Sequence, residues 1–246
     1  MVKSNAIANN IDTYYRYYLN AILFFLIAII IWLLITYSQS AYNRYVNKNF
    51  ELPNNTPRNI KILDNTQLLK FYRDVVEDYK ECEMFSIAGT ALGCIRHNNI
   101  IPWDDDIDLG LDRSKIPLFL EISKNKGYNI ELVWFGYKIY DRKSDYFIDV
   151  FIFTEIEGKY HYGSKHARIT WPKEYFLSKD EVFPLVYRKF GNYNIPTPKK
   201  LKDYCDRSFK NWDKMVIYKT PHRGSFFERY LMKINPFIPK KWKLNN

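Results

Sequence analysis

The run from Gly89 to Asp108, GTALGCIRHNNIIPWDDDID, constrains this chain more than any other stretch of it. It places a Gly-Thr pair, an arginine and four aspartates within twenty positions. Asp104, Asp105, Asp106 and Asp108 crowd together, and like charges this close raise one another's pKa. A fold tolerates such crowding when a cation neutralises it, and hard carboxylate oxygens suit Mg²⁺ or Mn²⁺. Ile107, Leu109 and Leu111 alternate with Asp106, Asp108 and Gly110, which is the period of a β-strand. Residues two apart on a strand share a face. Asp106 and Asp108 therefore project together while the aliphatic residues pack behind them. The run asks for a sheet with a cation at its edge, and so for metal-assisted chemistry on a phosphate.

A further acid stands in Tyr146-Phe147-Ile148-Asp149-Val150-Phe151, an apolar strand. Asp149 shares its face with Phe147 and Phe151, and an ionised carboxylate beside two aromatic rings is costly without a cation or hydrogen-bond partners. A Gly-Thr turn after the short strand Phe85–Ala88, a D-x-D on the next strand and a later lone Asp make up a nucleotidyltransferase arrangement. In it, turn amides hold a phosphate at a helix N-terminus. The acids Asp106, Asp108 and Asp149, with Asp104 assisting, hold one or two metals for an in-line displacement. Arg96 offers a fork of donors to phosphate oxygens. Gly89, Thr90, Arg96 and Trp103 are the candidate substrate-binding residues, Trp103 weighed both as a stacking face for a base or a quaternary ammonium and as a buried core aromatic. An EF-hand starting at Asp104 fails, because its sixth and twelfth positions hold Leu109 and Lys115 instead of Gly and Glu. A nucleotide-sugar-dependent glycosyltransferase also uses a D-x-D, usually after a longer nucleotide-binding half-domain. An acidic, solvated loop is the plainest alternative.

The surrounding pattern supplies the sheet. Asp64 to Gln67 resembles a capping box ahead of a helix that ends near Cys82. Ala91–Arg96 suits a short helix, and Ser114 is placed to cap a helix running to about Asn125. Strands follow at Tyr128–Val133, Tyr137–Tyr140, Phe147–Phe153 and Lys159–Tyr162, and a helix from Lys199 to about Phe209. The expected fold is α+β, a mixed sheet with flanking helices. His161 and His166, with Lys165 and Arg168, follow the Asp149 strand and are weighed both as diphosphate contacts and as ordinary polar loop residues. The segment from Ile234 to Lys243 reads equally as a membrane-touching stretch or a frayed basic tail.

Ahead of that domain lies an unbroken apolar run, Ala21 to Ile35, with tyrosines at both ends. At about 1.5 Å per residue it is close to the thickness of a bilayer core, and interfacial tyrosines suit its boundaries. The expected organisation is a tail at 1–18, a transmembrane anchor at 19–37, a stem at 38–63 and a catalytic domain at 64–246. A cleaved signal sequence is the rival reading, with Ser38-Gln39-Ser40 as a small-x-small site. Flanking charges are nearly balanced and do not orient the anchor. Asn54-Asn55-Thr56 in the stem is a glycosylation sequon, usable in a lumenal location. Charge divides unevenly along the chain. Residues 1–158 carry 17 Lys and Arg against 20 Asp and Glu, net −3, while residues 159–246 carry 20 against 7, net +13. The basic part suits phosphates, an anionic glycan or a membrane surface; no nucleic-acid-binding signature accompanies it. Three cysteines, Cys82, Cys94 and Cys205, have no zinc spacing.

Taken together, Gly89-Thr90-Ala91-Leu92-Gly93, Arg96, the run Ile101-Pro102-Trp103-Asp104-Asp105-Asp106-Ile107-Asp108 and Asp149 in Ile148-Asp149-Val150-Phe151 resemble the LicD/fukutin family of phosphotransferases. The resemblance extends from about Asp64 to Trp212. Phe183-Pro184 and Pro196 to Tyr204 match more loosely, and Cys205 stands where the family often has Gly. The resemblance implies a nucleotidyltransferase-like fold. It implies transfer of phosphocholine or ribitol phosphate from a CDP-linked donor to a glycan or glycoconjugate acceptor, with release of CMP. It also implies a Golgi or ER location with a lumenal domain. A non-catalytic, membrane-bound accessory protein is the alternative outside enzymology, and the four retained carboxylates argue against it.

Overall fold

The computed structural model describes residues 16–35, 37, 62–218, 230 and 241–244. The apolar run forms helix α1 (Arg16–Ile35), 20 residues with a mean hydropathy of 2.8 and no burial within the protein. By length and composition it is able to cross a bilayer; a signal sequence has the same properties. Most of the expected stem, the Asn54 sequon and Ser38-Gln39-Ser40 lie outside the described residues.

From residue 62 onward, helix α2 (Thr66–Asp78) leads to strand β1 (Phe85–Ser86), helix α3 (Ala88–His97) and strand β2 (Ile107–Asp112). Helix α4 (Ile116–Lys126), hairpin β3 (Asn129–Val133) and β4 (Gly136–Tyr140), then strands β5 (Phe147–Ile156) and β6 (Lys159–Tyr162) follow. The strands lie in the order β1-β2-β5-β4-β3, with β6 also paired to β5. Only β2 and β5 run parallel in this sheet. The chain between them passes through α4 and the β3–β4 hairpin, long enough for the crossover a parallel pair needs. The sheet is mixed and the architecture α+β, as the alternating pattern predicts.

Strand β5 is the spine. It pairs with β2 along one side, and with β4 and then β6 along the other. It is buried from Ile148 to Phe153, and a strand covered on both faces reads as a continuous apolar run. Asp149 is the exception in that run, on the face that becomes the site. Phe85 on β1 stands opposite Gly110 on β2. A Cβ at Gly110 would come within 2.4 Å of the Phe85 ring, so the ring packs directly on the β2 backbone. Helix α2 buries Leu68, Phe71, Tyr72 and Val75 against this core, each contributing about 1.5–3 kcal/mol when fully removed from water. A buried hydroxyl chain ties α2 to the sheet: Tyr72 is 3.0 Å from Ser86 Oγ, which donates to the Pro196 carbonyl at 2.9 Å.

The remainder adds a short helix α5 (Lys165–Thr170), a hairpin β7 (Val186–Phe190) and β8 (Tyr193–Thr197), helix α6 (Leu201–Ser208), and a ribbon of β9 (Met215–Ile217) and β10 (Lys241–Lys243). Residues 241–243 are thus a paired strand, with Trp242 packed 5.2 Å from Trp103; they are not a frayed tail. Two expected caps shift by local chemistry. Helix α2 starts one residue later, with Asn65 at its cap, and Asp64 accepts from the Thr66 N–H at 3.0 Å. Ahead of α4 the capping carboxylate belongs to Asp112, which accepts from the Ser114 N–H at 2.9 Å; a carboxylate outcompetes the hydroxyl as an acceptor. Helix α3 begins at Ala88, so Gly89 lies inside its first turn.

Candidate active site

The parallel register of β2 and β5 sets Asp108 beside Asp149. Asp106, two residues before Asp108, joins them from the mouth of β2. Oxygen atoms of Asp106, Asp108 and Asp149 all lie within 4.8 Å of one another, as the alternation on two strands predicts. Asp104, Asp105 and Asp106 form a second such group. The Asp108 carboxyl is pushed well above the usual carboxylate range by burial, then by Asp106, Asp149, Asp104 and Glu174. Its Oδ2 accepts from the Gly89 N–H at 3.2 Å.

These acids face a cleft of about 500 Å³. Asp104, Asp106, Asp108 and Asp149 line it, as do Gly89, Arg96 and Trp103. Thr90 does not. Its hydroxyl accepts from the Asp108 N–H at 2.8 Å, so it fastens α3 to β2. The amide expected to meet a phosphate, that of Gly89, is directed at Asp108 instead. Gly89 has a second reason for its identity: a Cβ there would stand 2.7 Å from Asp104 Oδ2. Arg96, in the last turn of α3, donates from Nε to His97 Nε2 at 2.9 Å. That bond requires His97 to be neutral, and burial followed by the Arg96 charge brings its pKa down to about 3. Burial likewise lowers Arg96 to about 10, partly offset by Cys205 and Asp104, and it remains a cation at neutral pH.

His161, His166, Lys165 and Arg168 do not reach the cleft wall. His161 Nδ1 accepts from the Tyr162 N–H at 2.8 Å, and Arg168 donates to the Tyr162 and Gly163 carbonyls. Both hold the turn after β6. The three cysteines are buried and free.

Sequence reasoning missed several residues here. Lys138 stands directly across from Asp149 on β4, and its Nζ donates to Asp149 Oδ1 at 2.5 Å. The ring of Phe147 lies beneath that ammonium, 3.8 Å away at its centroid. An aromatic wall of Phe135, Phe151, Tyr162 and Trp171 continues from the acids, with Glu174 in it. Phe135 and Phe151 stack at 4.2 Å, and Trp171 meets Phe151 edge-on at 5.6 Å. Glu174 is buried and accepts from the Tyr162 hydroxyl at 2.6 Å. The one available signal was that Glu174 is the only acid between Lys159 and Lys179, set among aromatic residues.

The geometry can gather a divalent cation, a phosphate chain and an apolar or cationic group in one cleft. Comparison with known proteins shows what the chain is similar to. The model of the family described as LicD/FKTN/FKRP, nucleotidyltransferase domain, matches residues 81–200. An uncharacterized protein of Rickettsia prowazekii (strain Madrid E) is 30% identical over 138 residues, 55% of this chain and 50% of that protein. One of Rickettsia typhi (strain ATCC VR-144 / Wilmington) is 33% identical over 177 residues, 64% of this chain and 54% of that protein. The chain thus spans about half the length of these two relatives. The lipopolysaccharide cholinephosphotransferase LicD of Haemophilus influenzae (strain ATCC 51907 / DSM 11121 / KW20 / Rd) is 32% identical over 189 residues, 56% of this chain and 71% of that protein.

Proposed function

The chain belongs to the LicD family, and from that premise we propose that it is a metal-dependent phosphotransferase. It moves a phosphate-linked small alcohol from a CDP-activated donor to a glycan and releases CMP. The meeting of Asp106, Asp108 and Asp149 at one end of the cleft carries this reading. The donor set fits Mg²⁺ or Mn²⁺: carboxylate oxygens alone, mutually within 4.8 Å. Asp106, Asp108 and Asp149 would hold the ion, with Asp104 beside them. Bound there, it supplies charge neutralisation for a displacement at phosphorus.

The chain's own residues do the rest. Arg96 offers donors to the donor's phosphate oxygens. Trp103, which lines the cleft though nearly all of its surface is covered by protein, closes the wall against which cytosine packs. The acceptor hydroxyl oxygen bonds to the phosphorus that carries the alcohol, and the bond from that phosphorus to the CMP oxygen breaks. The hydroxyl proton passes to a carboxylate of the cluster, and CMP departs. Phe135, Phe151 and Trp171 with Glu174 support phosphocholine over ribitol phosphate. Aromatic faces and a carboxylate hold a quaternary ammonium, whereas a polyol asks for several donors and acceptors that this wall does not offer. The name of the Haemophilus relative supports the same choice. Helix α1 is read as a membrane anchor, with the domain at 64–246 in a Golgi or ER lumen.

The test is turnover by the detergent-solubilised chain with Mg²⁺ or Mn²⁺, given CDP-choline, CDP-ribitol and nucleotide sugars. CMP release from CDP-choline above CDP-ribitol is expected. Arg96→Ala should weaken CDP binding by roughly 1.5–3 kcal/mol, the scale of a hydrogen bond to a charged group. Turnover of a UDP- or GDP-sugar alone would replace this reading with a glycosyltransferase.

A further inference from the structure

The mouth of the cleft is rimmed by exposed apolar side chains and lysines. Trp134, in the turn between β3 and β4, is 51% exposed. It stacks at 5.6 Å on Trp171 and meets Phe135 at 5.2 Å, and both of those rings line the cleft. His166 on α5 lies 4.6 Å from Trp134. Ile169 follows three residues later on the same side of that helix and is 70% exposed. Ile217 on β9 also lines the cleft and is 63% exposed. Lysines stand beside them. Lys173 is two residues beyond Trp171, Lys210 lines the cleft, and Lys241 pairs in register with Ile217. None of these three makes an ion pair among the described residues.

We infer that this rim docks on an anionic lipid surface, so that the acceptor enters the cleft from a bilayer. Branched aliphatic side chains offer a soluble sugar no hydrogen bond, whereas the headgroup boundary accepts them and favours tryptophan. Lysines beside them match anionic lipid headgroups and add attraction that neutral lipid lacks. The +13 balance of residues 159–246 belongs to the same part of the chain. The inference rests on the proposed phosphotransferase reading for what enters the cleft; the docking itself does not.

Because the native cysteines are buried, a polarity-sensitive thiol dye can be placed at Ile169→Cys in the full chain. The labelled chain is reconstituted in phosphatidylcholine vesicles with and without phosphatidylglycerol. With the anionic lipid, the dye should shift to the blue and become about threefold less accessible to aqueous iodide. Lys173→Glu with Lys241→Glu should abolish both changes. A dye at Tyr187→Cys, on the β7–β8 hairpin, should report no change. Equal iodide access in both vesicles would overturn the inference, whether the dye is exposed in both or shielded in both. CMP release in detergent is read separately. An active enzyme with an unshifted dye sinks only the docking; a shifted dye with no turnover of any CDP-alcohol sinks only the phosphotransferase reading.

Discussion

Asp108 occupies a position that favours function over stability. Burial and the acids around it raise its pKa, so above the ordinary carboxylate range the metal-free fold loses stability to this group. Asn keeps the shape and can still accept from the Gly89 N–H, but removes the charge. Asp108→Asn should therefore abolish turnover and Mn²⁺ binding while raising the Tm of the metal-free chain by roughly 2–4 °C. A lower Tm in scanning calorimetry would show that the carboxylate is structural. Gly89 makes the complementary case. Its missing side chain leaves room for the Asp104 carboxylate, 2.7 Å from where a Cβ would be. Gly89→Ala should push that carboxylate aside, so Mn²⁺ affinity measured by calorimetry should fall at least tenfold, about 1.4 kcal/mol. Unchanged affinity would mean that Asp104 stands apart from the cation.

Strand β2 carries acids near both ends, and the two ends are treated oppositely. Asp108 lies among other carboxylates, while Asp112 accepts from Lys179 at 2.7 Å, from Ser114 and from Tyr160 at 2.9 Å. Burial alone would raise the Asp112 pKa, but these partners together bring it down to about 2 from 3.8. A depressed folded pKa contributes stability that is present above the unfolded value and lost as pH falls through the folded one. The stability gap between wild type and Asp112→Asn should therefore hold from neutral pH down to about 4, then close as pH approaches about 2. Denaturant titrations across that range would check it; a gap independent of pH would assign the loss to packing. The strands themselves were legible, because Ile107-Asp108-Leu109 and Ile148-Asp149-Val150 alternate plainly. Lys138 was not, since its place opposite Asp149 depends on the β4–β5 register, which sequence spacing does not fix. Thr90 was misdirected for a similar reason: composition gives the hydroxyl but not the backbone N–H it finds. The β7–β8 hairpin was hidden by Pro196, which a two-stranded edge tolerates and a central strand would not.

At the scale of the whole domain, the cleft is assembled from residues as far apart as Ala88 and Ile217. Its acidic end is built by β2 and β5, but the Trp103 wall leans on the β9–β10 ribbon, where Trp242 and Tyr218 contact that ring. Among the described residues, the buried Trp242 indole N–H and Tyr218 hydroxyl have no hydrogen-bond partner, so these two side chains contribute packing and little polar stabilisation. The two ends should separate under mutation. Trp242→Ala removes the backing of Trp103 and should weaken CDP binding about tenfold, at a stability cost of roughly 1–3 kcal/mol for a partly exposed ring. Mn²⁺ affinity should be unchanged, because Asp106, Asp108 and Asp149 are positioned by β2, its leading edge and β5. Trp242→Phe should keep the wall while deleting the unpartnered N–H, and so restore CDP binding with stability at or above wild type. Calorimetry with Mn²⁺ and with CDP on the three proteins decides the matter. A parallel loss of both affinities in Trp242→Ala would mean that the ribbon supports the acidic end as well, and that the cleft opens and closes as one body.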